Sequence, residues 1–229
     1  MHVPDGFLDA PTSLATAGVA ALGVGVALRG ARRELSDAAA PLAGLVAVFV
    51  FAGQLLNFPV GAGTSGHLVG ATLAAVLVGP FTATLCLTVV LLVQALAFAD
   101  GGVSALGTNV TLMALVAVWA GYAVFRLARA LLPRAVASVP VAAAIAAFVS
   151  VPVTALAFCG LYAVGGQAPI DLSTLVVTML GWHTAIGLGE AAITFLTVGS
   201  VVAARPDLAY GARDLLTTPE LEIRTAAWT

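Results

Sequence analysis

Long apolar runs alternate with short polar breaks along the whole chain, and the runs have the length of membrane spans. A helix needs about 20 apolar residues to cross a bilayer. Apolar runs cover residues 13–28, 40–57, 67–79, 81–98, 108–125, 138–164 and 174–203. This pattern predicts seven helices. The third is short, and Gly79-Pro80 parts it from the fourth, because glycine ends a helix and proline opens one at little cost. The sixth and seventh exceed what the bilayer needs, which predicts tilt or ends outside the lipid. Pro41 opens the second helix, and Pro152 is placed to kink the sixth, which also carries Pro140.

Composition supports the same reading. Of 229 residues, 61% are hydrophobic and 9% charged, with a mean hydropathy of +1.08, whereas a soluble domain carries about 25% charged residues. The net charge of −2 gives no footing for nucleic acid. All nine basic residues are arginines, and their placement sets an orientation. Arg29, Arg32 and Arg33 follow the first run; Arg126, Arg129 and Arg134 follow the fifth; Arg205, Arg213 and Arg224 follow the seventh. Seven spans with the N-terminus outside put every one of them on the cytoplasmic side and leave Asp5, Asp9, Asp100 and Asp171 opposite. The expected organisation is an external arm (1–12), a seven-helix membrane domain (13–205) and a cytoplasmic tail (206–229). No signal peptide is evident. Cys86 and Cys159 lie within apolar runs without CxxC or histidine neighbours and read as core residues.

The chemistry lies in three histidines, His2, His67 and His183, which this topology turns toward one face. A retained Met1 amine, the His2 amide and the His2 ring form a five- and a six-membered chelate. They occupy three corners of a square, an arrangement suited to Ni(II), Cu(II) and Co(II) rather than tetrahedral Zn(II). His67, read as the start of the third helix, is the natural fourth nitrogen. It follows a loop, 58–66, with three glycines, where another segment can approach closely. Gln54, Asn57, Thr64 and Ser65 are candidates to fix ring orientation by hydrogen bonds. His183 and Glu190 stand seven apart on one face of the seventh helix. A supporting or gating role and a buried helix–helix hydrogen bond both fit Glu190, the one acid deep in an apolar run. Ala39, Ala43 and Ala47 recur four apart on the second helix, as do Ala71, Ala75 and Gly79 on the third. Such spacing serves either internal packing or the docking of another membrane subunit. There is no GxxxxGK[ST], HExxH or GxSxG, so no ATPase or hydrolase of those types is supported.

With these residues in view, the chain resembles the CbiM/NikM family, the substrate-binding S component of cobalt and nickel energy-coupling-factor importers. The resemblance rests on Met-His-Val-Pro-Asp-Gly-Phe-Leu at 1–8, Gln-Leu-Leu-Asn-Phe-Pro-Val at 54–60 and Gly-Thr-Ser-Gly-His-Leu at 63–68. It continues through Gly-Thr-Asn at 107–109 and His-Thr-Ala-Ile-Gly-Leu-Gly-Glu-Ala at 183–191. Position 3 is valine where the family pattern usually has isoleucine, a conservative change. The resemblance implies a six-helix S-component core with one extra N-terminal helix in a prokaryotic cell membrane. It implies Co(II) or Ni(II) as transported ligand, held by the Met1 amine, the His2 amide and ring, and His67, with no catalytic cofactor. It further implies a transmembrane coupling subunit, cytoplasmic ATPase subunits and a small accessory membrane subunit as partners. The rival class is an autonomous divalent-cation channel or secondary carrier, which should place acids or histidines at mid-membrane on several helices. Only Glu190 fits that pattern.

Overall fold

The computed structural model describes residues 2–35, 39–61 and 64–216. Among these, seven helical segments carry the fold: α1 (Ala10–Glu34), α2 (Ala39–Gln54), α3 (Ala71–Val78), α4 (Pro80–Ala97), α5 (Leu106–Leu131), α6 (Ser138–Gly165) and α7 (Leu172–Ala204). Five of them, α1 and α4–α7, are long and apolar enough to cross a membrane, and α2 is a shorter apolar helix. Between α2 and α3 the chain makes a small antiparallel hairpin, β1 (Phe58–Gly61) with β2 (Thr64–Gly66). A short 3₁₀ turn, Tyr210–Leu215, follows α7 and folds back with Gly211 and Ala212 buried.

The helices begin where side chains can satisfy their first amides. Asp9 caps α1 by accepting from the Thr12 amide at 2.8 Å, and Pro11 fits the first turn. Asp171 caps α7 in the same way through Thr174. Helix α4 starts after Gly79, which offers no side chain, and its free amides are met from elsewhere. The buried Glu34 carboxylate, at the end of α1, accepts from the Phe81 and Thr82 amides at 3.2 and 2.7 Å and from the Thr82 hydroxyl at 2.9 Å. Pro152 lies inside α6 and is accommodated without ending it. Within α5, residues Val110–Val116 widen to a π-helical segment.

Two expectations about the third run need correction. His67 does not open a helix: residues 67–70 are irregular and α3 begins at Ala71. Gly70 has φ +71°, the left-handed region open to glycine, so the chain turns there before the helix can start. Helix α3 is also only eight residues long, about 12 Å at 1.5 Å per residue. Every one of its residues is buried, among α4, α5, α6 and α7. It is a central plug of the bundle rather than a lipid-facing span. Thr72 on α3 donates to Ser150 of α6 at 3.0 Å, a polar tie inside this core.

The connections gather polar chemistry at the two ends of the bundle. One end holds the N-terminal arm, the hairpin and the loop after α4. The other holds the ends of α1, α5 and α7 with Arg33, Arg129 and Arg213, the last donating to the Glu34 carbonyl at 3.2 Å. Between them, long apolar side chains face outward on several helices. Leu14 and Leu22 on α1, Leu45 and Val48 on α2, and Val177 and Leu196 on α7 are among the most exposed, as expected where the surrounding solvent is lipid.

Candidate metal centre

The arm, residues 2–9, is seated by the backbone and by short polar side chains. Val3 is buried and held like a strand residue by one amide: its N–H donates to Asn109 Oδ1 at 2.7 Å and its carbonyl accepts from Asn109 Nδ2 at 3.1 Å. The Gly102 amide also donates to the Val3 carbonyl, at 2.9 Å. Asp5 accepts from the Ser104 amide at 2.7 Å and from the Ser104 hydroxyl. These bonds hold the Asp5 carboxyl below the ordinary aspartate value of 3.8. Farther on, Phe7 packs against Phe158 and Tyr162. The Asp9 amide donates to the Gly165 carbonyl at 2.7 Å, and Gln167 donates to the Phe7 carbonyl at 3.0 Å. Gly102 is required for the fit, since a β-carbon there would run into the Asp5 backbone and carboxylate.

This seating brings the His2 ring to the His67 ring, with centroids 4.4 Å apart and planes at 26°. Both are buried, at 8% and 1% exposure. Each ring has one nitrogen occupied. His2 Nε2 lies 3.1 Å from Gln94 Oε1, and His67 Nδ1 lies 2.7 Å from the Leu68 carbonyl. An oxygen acceptor requires the proton on that nitrogen, so the lone pair is left on the other. His2 Nδ1 and His67 Nε2 are those other nitrogens, buried and without hydrogen-bond partners among the described residues. Asp100 Oδ1 stands 3.2 Å from His2 Nδ1, too far off line for a hydrogen bond, and places a negative charge beside the two rings.

His183 repeats the pattern: its Nδ1 bonds the Met179 carbonyl at 2.8 Å and its Nε2 is buried without a partner among the described residues. It sits about 16 Å along α7 from Leu172, well inside the helix, because α7 starts at the Asp171 cap. Among the described residues, Glu190 makes no side-chain pair with another helix. Its carboxylate accepts from the Val69 and Gly70 amides, both at 2.8 Å. Gln54 donates to the Val69 carbonyl at 2.8 Å. Together they clamp the irregular turn that presents His67.

The other residues singled out in the sequence fall around this centre. Asn57 donates to Asp100 at 3.3 Å, one step from His2. Ser65 is half-buried in β2, paired with Pro59. Ala43 and Ala47 are half-buried, and α2 packs against α4 there: the Ala43 carbonyl accepts from the Cys86 thiol at 3.5 Å and Ala47 lines a groove with Val90. Met1 and the side chains of Ala39 and Thr64 lie outside the described residues. The groups that orient the rings are therefore Gln94 and two backbone carbonyls. Gln94, Asp100, Ser104 and Asn109 were missed. Their signal was present in part: Gln94 is an amide inside an apolar run, and Asn109 closes the Gly-Thr-Asn motif.

Among the described residues, no three His, Cys, Asp or Glu side chains converge on a metal position. A cation at the two free imidazole nitrogens would need further donors from the backbone or the amino terminus.

Known proteins share this architecture. The family model described as "Cobalt uptake substrate-specific transmembrane region" (CbiM) matches residues 2–208. A protein from Haloquadratum walsbyi named for metal transport is 40% identical over 214 residues, covering 92% of this chain and 94% of that one. A fused protein from Archaeoglobus fulgidus named for nickel transport is 39% identical over 216 residues, covering 91% of this chain and 68% of that one. The crystal structure of a truncated transition metal transporter superposes with a TM-score of 0.81 at 30% identity, covering 89% of this chain and 99% of that one.

Proposed function

Since the chain belongs to the CbiM family of cobalt-uptake transmembrane proteins, and is a multi-pass protein of the cell membrane, we propose that it is the subunit that selects and captures Co(II) or Ni(II) in an energy-coupling-factor importer. The Met1 amine, the His2 amide, His2 Nδ1 and His67 Nε2 form the square of donors. The observation that carries this reading is the pair of buried imidazole nitrogens without hydrogen-bond partners on adjacent rings. Two imidazoles at neighbouring corners, each about 2 Å from one ion, bring their centroids close to the spacing seen between His2 and His67. Gln94 and the Leu68 carbonyl keep the correct tautomers, as partners of metal-bound histidines generally do. Asp100 favours a cation without serving as a donor in this scheme.

Capture requires neutral rings and loss of protons from the amine and the His2 amide, so affinity falls with acid. The sequence carries no nucleotide motif, and the energy for import comes in this reading from partner ATPases through a transmembrane coupling subunit, with a small accessory membrane subunit alongside. The arm end faces outward and the arginine end faces the cytoplasm, which agrees with the preference for positive charge inside. The seven helical segments then act as a six-helix core preceded by α1, and the bound ion moves inward with the whole subunit.

The test is metal content and spectrum of the purified chain with its native N-terminus, set beside a variant extended by one residue before Met1. We expect stoichiometric Co(II) or Ni(II) with a planar-nitrogen spectrum in the first and its loss in the second. His67→Ala should weaken binding by more than roughly 100-fold. Normal binding by the extended variant would exclude the amine from the site. Ion uptake into liposomes by this chain alone would favour an autonomous carrier.

A further inference from the structure

At the end of the bundle opposite the histidines, α5 and the 3₁₀ turn enclose a cavity of about 310 Å³, lined among others by Tyr122, Arg126, Arg129, Tyr210, Arg213 and Asp214. Three guanidinium groups face one carboxylate. Arg129 is the informative member. Its side chain is 9% exposed, yet its nearest carboxylate oxygen, on Asp214, is 3.8 Å away on a side chain 68% exposed. Its Nη1 is buried with no hydrogen-bond partner among the described residues. A buried guanidinium is normally paired and hydrogen-bonded, so among the described residues this pocket is short of negative charge and of acceptors. Arg213 is partly engaged already, by the Glu34 carbonyl and the Tyr210 ring. Tyr210 also borders a neighbouring cavity lined by Arg29, Arg33 and Glu34, whose carboxylate is already taken by the Phe81 and Thr82 amides and the Thr82 hydroxyl.

We propose that this pocket holds the phosphate group of an anionic phospholipid. A phosphate diester offers the oxygens that Arg129 lacks and matches guanidinium geometry. The surroundings favour a lipid over a free anion. Leu127 and Leu131, next to Arg126 and Arg129 on the last turns of α5, are 61% and 79% exposed, and provide an apolar path for acyl chains directly beside the charged pocket. The location suits a headgroup too, because basic pockets between membrane helices on the positively charged side recognise such lipids. The proposal does not depend on the identity of the transported ion.

The experiment measures thermal unfolding of the full chain in neutral detergent while titrating phosphatidylglycerol, phosphatidylcholine of the same acyl chains, or inorganic phosphate. We expect only phosphatidylglycerol to raise the midpoint. Arg129→Gln and Arg126→Gln should each weaken its apparent affinity roughly five-fold, while Arg134→Gln, at an exposed arginine outside the pocket, should leave it unchanged. If Arg129→Gln fails to fold, Arg126→Gln, on an exposed side chain, carries the test. Equal protection by the two lipids, equal protection by inorganic phosphate at the same concentration, or an undiminished phosphatidylglycerol effect in the arginine variants would overturn the proposal.

Discussion

The two ends of the bundle are both tied together by polar side chains, but with different chemistry. At the histidine end the ties are short and buried, and each donor meets a specific acceptor: Asn109 on both polar groups of Val3, Glu190 on two successive amides, Gln94 on His2. The partners lie about a hundred residues apart in sequence. At the arginine end, apart from the buried Glu34 cap, the ties are ionic and longer or more exposed. Arg205 and Asp207 pair at 2.7 Å with both side chains more than half exposed, and Arg129 reaches Asp214 only at 3.8 Å. Short buried bonds with specific partners restrict the arrangement, because a slip strands a donor. Exposed ion pairs tolerate slippage. The end that carries the buried histidines uses the first kind, and the end that carries the arginines uses the second.

Perturbing the ring-holding amide should give the largest effect. Gln94→Leu removes the acceptor that sets the His2 tautomer and should lower Co(II) or Ni(II) affinity by roughly 10–100-fold, read by metal titration, with little change in helix content. Next comes the arm. Asn109→Ala strips two bonds from Val3 and leaves its amide unpaired, at a cost of about 1–3 kcal/mol, visible as faster hydrogen exchange at residues 2–8 and a lower unfolding midpoint. A smaller effect is expected at Asp5. Its carboxyl titrates below 3.8 in the folded chain, so its contribution is fully present above the unfolded value and fades as pH falls through the depressed one. Asp5→Asn should therefore weaken arm docking at pH 7 and converge with the parent chain well below about pH 4, flattening the acid limb. The smallest effect should follow Arg205→Ala, within about 1 kcal/mol. A large loss there, or a negligible one at Gln94, would reverse the contrast between the ends.

Most of the helical framework was legible in the sequence, for a simple reason. Runs of apolar residues near the span length have few other stable forms in a bilayer. Helices α4, α6 and α7 match their runs closely, and α1 and α5 extend beyond theirs at ends where polar and charged residues continue the helix outside the apolar stretch. The run at 67–79 misled because apolar composition continues through Leu68 and Val69, where the backbone is irregular. The turn at Gly70 that delays the helix is held by a carboxylate 120 residues away, which no local pattern encodes. The hairpin at 58–66 was hidden because strands of four and three residues are too short to show alternation. At the site, His2 and His67 stood out as rare nitrogen donors. Asn109, Asp100 and Ser104 did not, since their task is to hold a backbone, and polar residues near helix ends ordinarily cap or face water.

Helix α3 bears on how the molecule is made. Eight residues cannot anchor themselves in a hydrocarbon layer about 30 Å thick, and the neighbours that enclose α3 include α6 and α7, which the ribosome delivers only after α3, α4 and α5. Until Ser138–Ala204 has entered the membrane, α3 has no complete housing, and Glu190 is not there to grip the turn beside His67. Assembly of the site is thus a late step of biogenesis. A nascent chain released before α7 would own both His2 and His67 and still lack the carboxylate that holds the turn beside them.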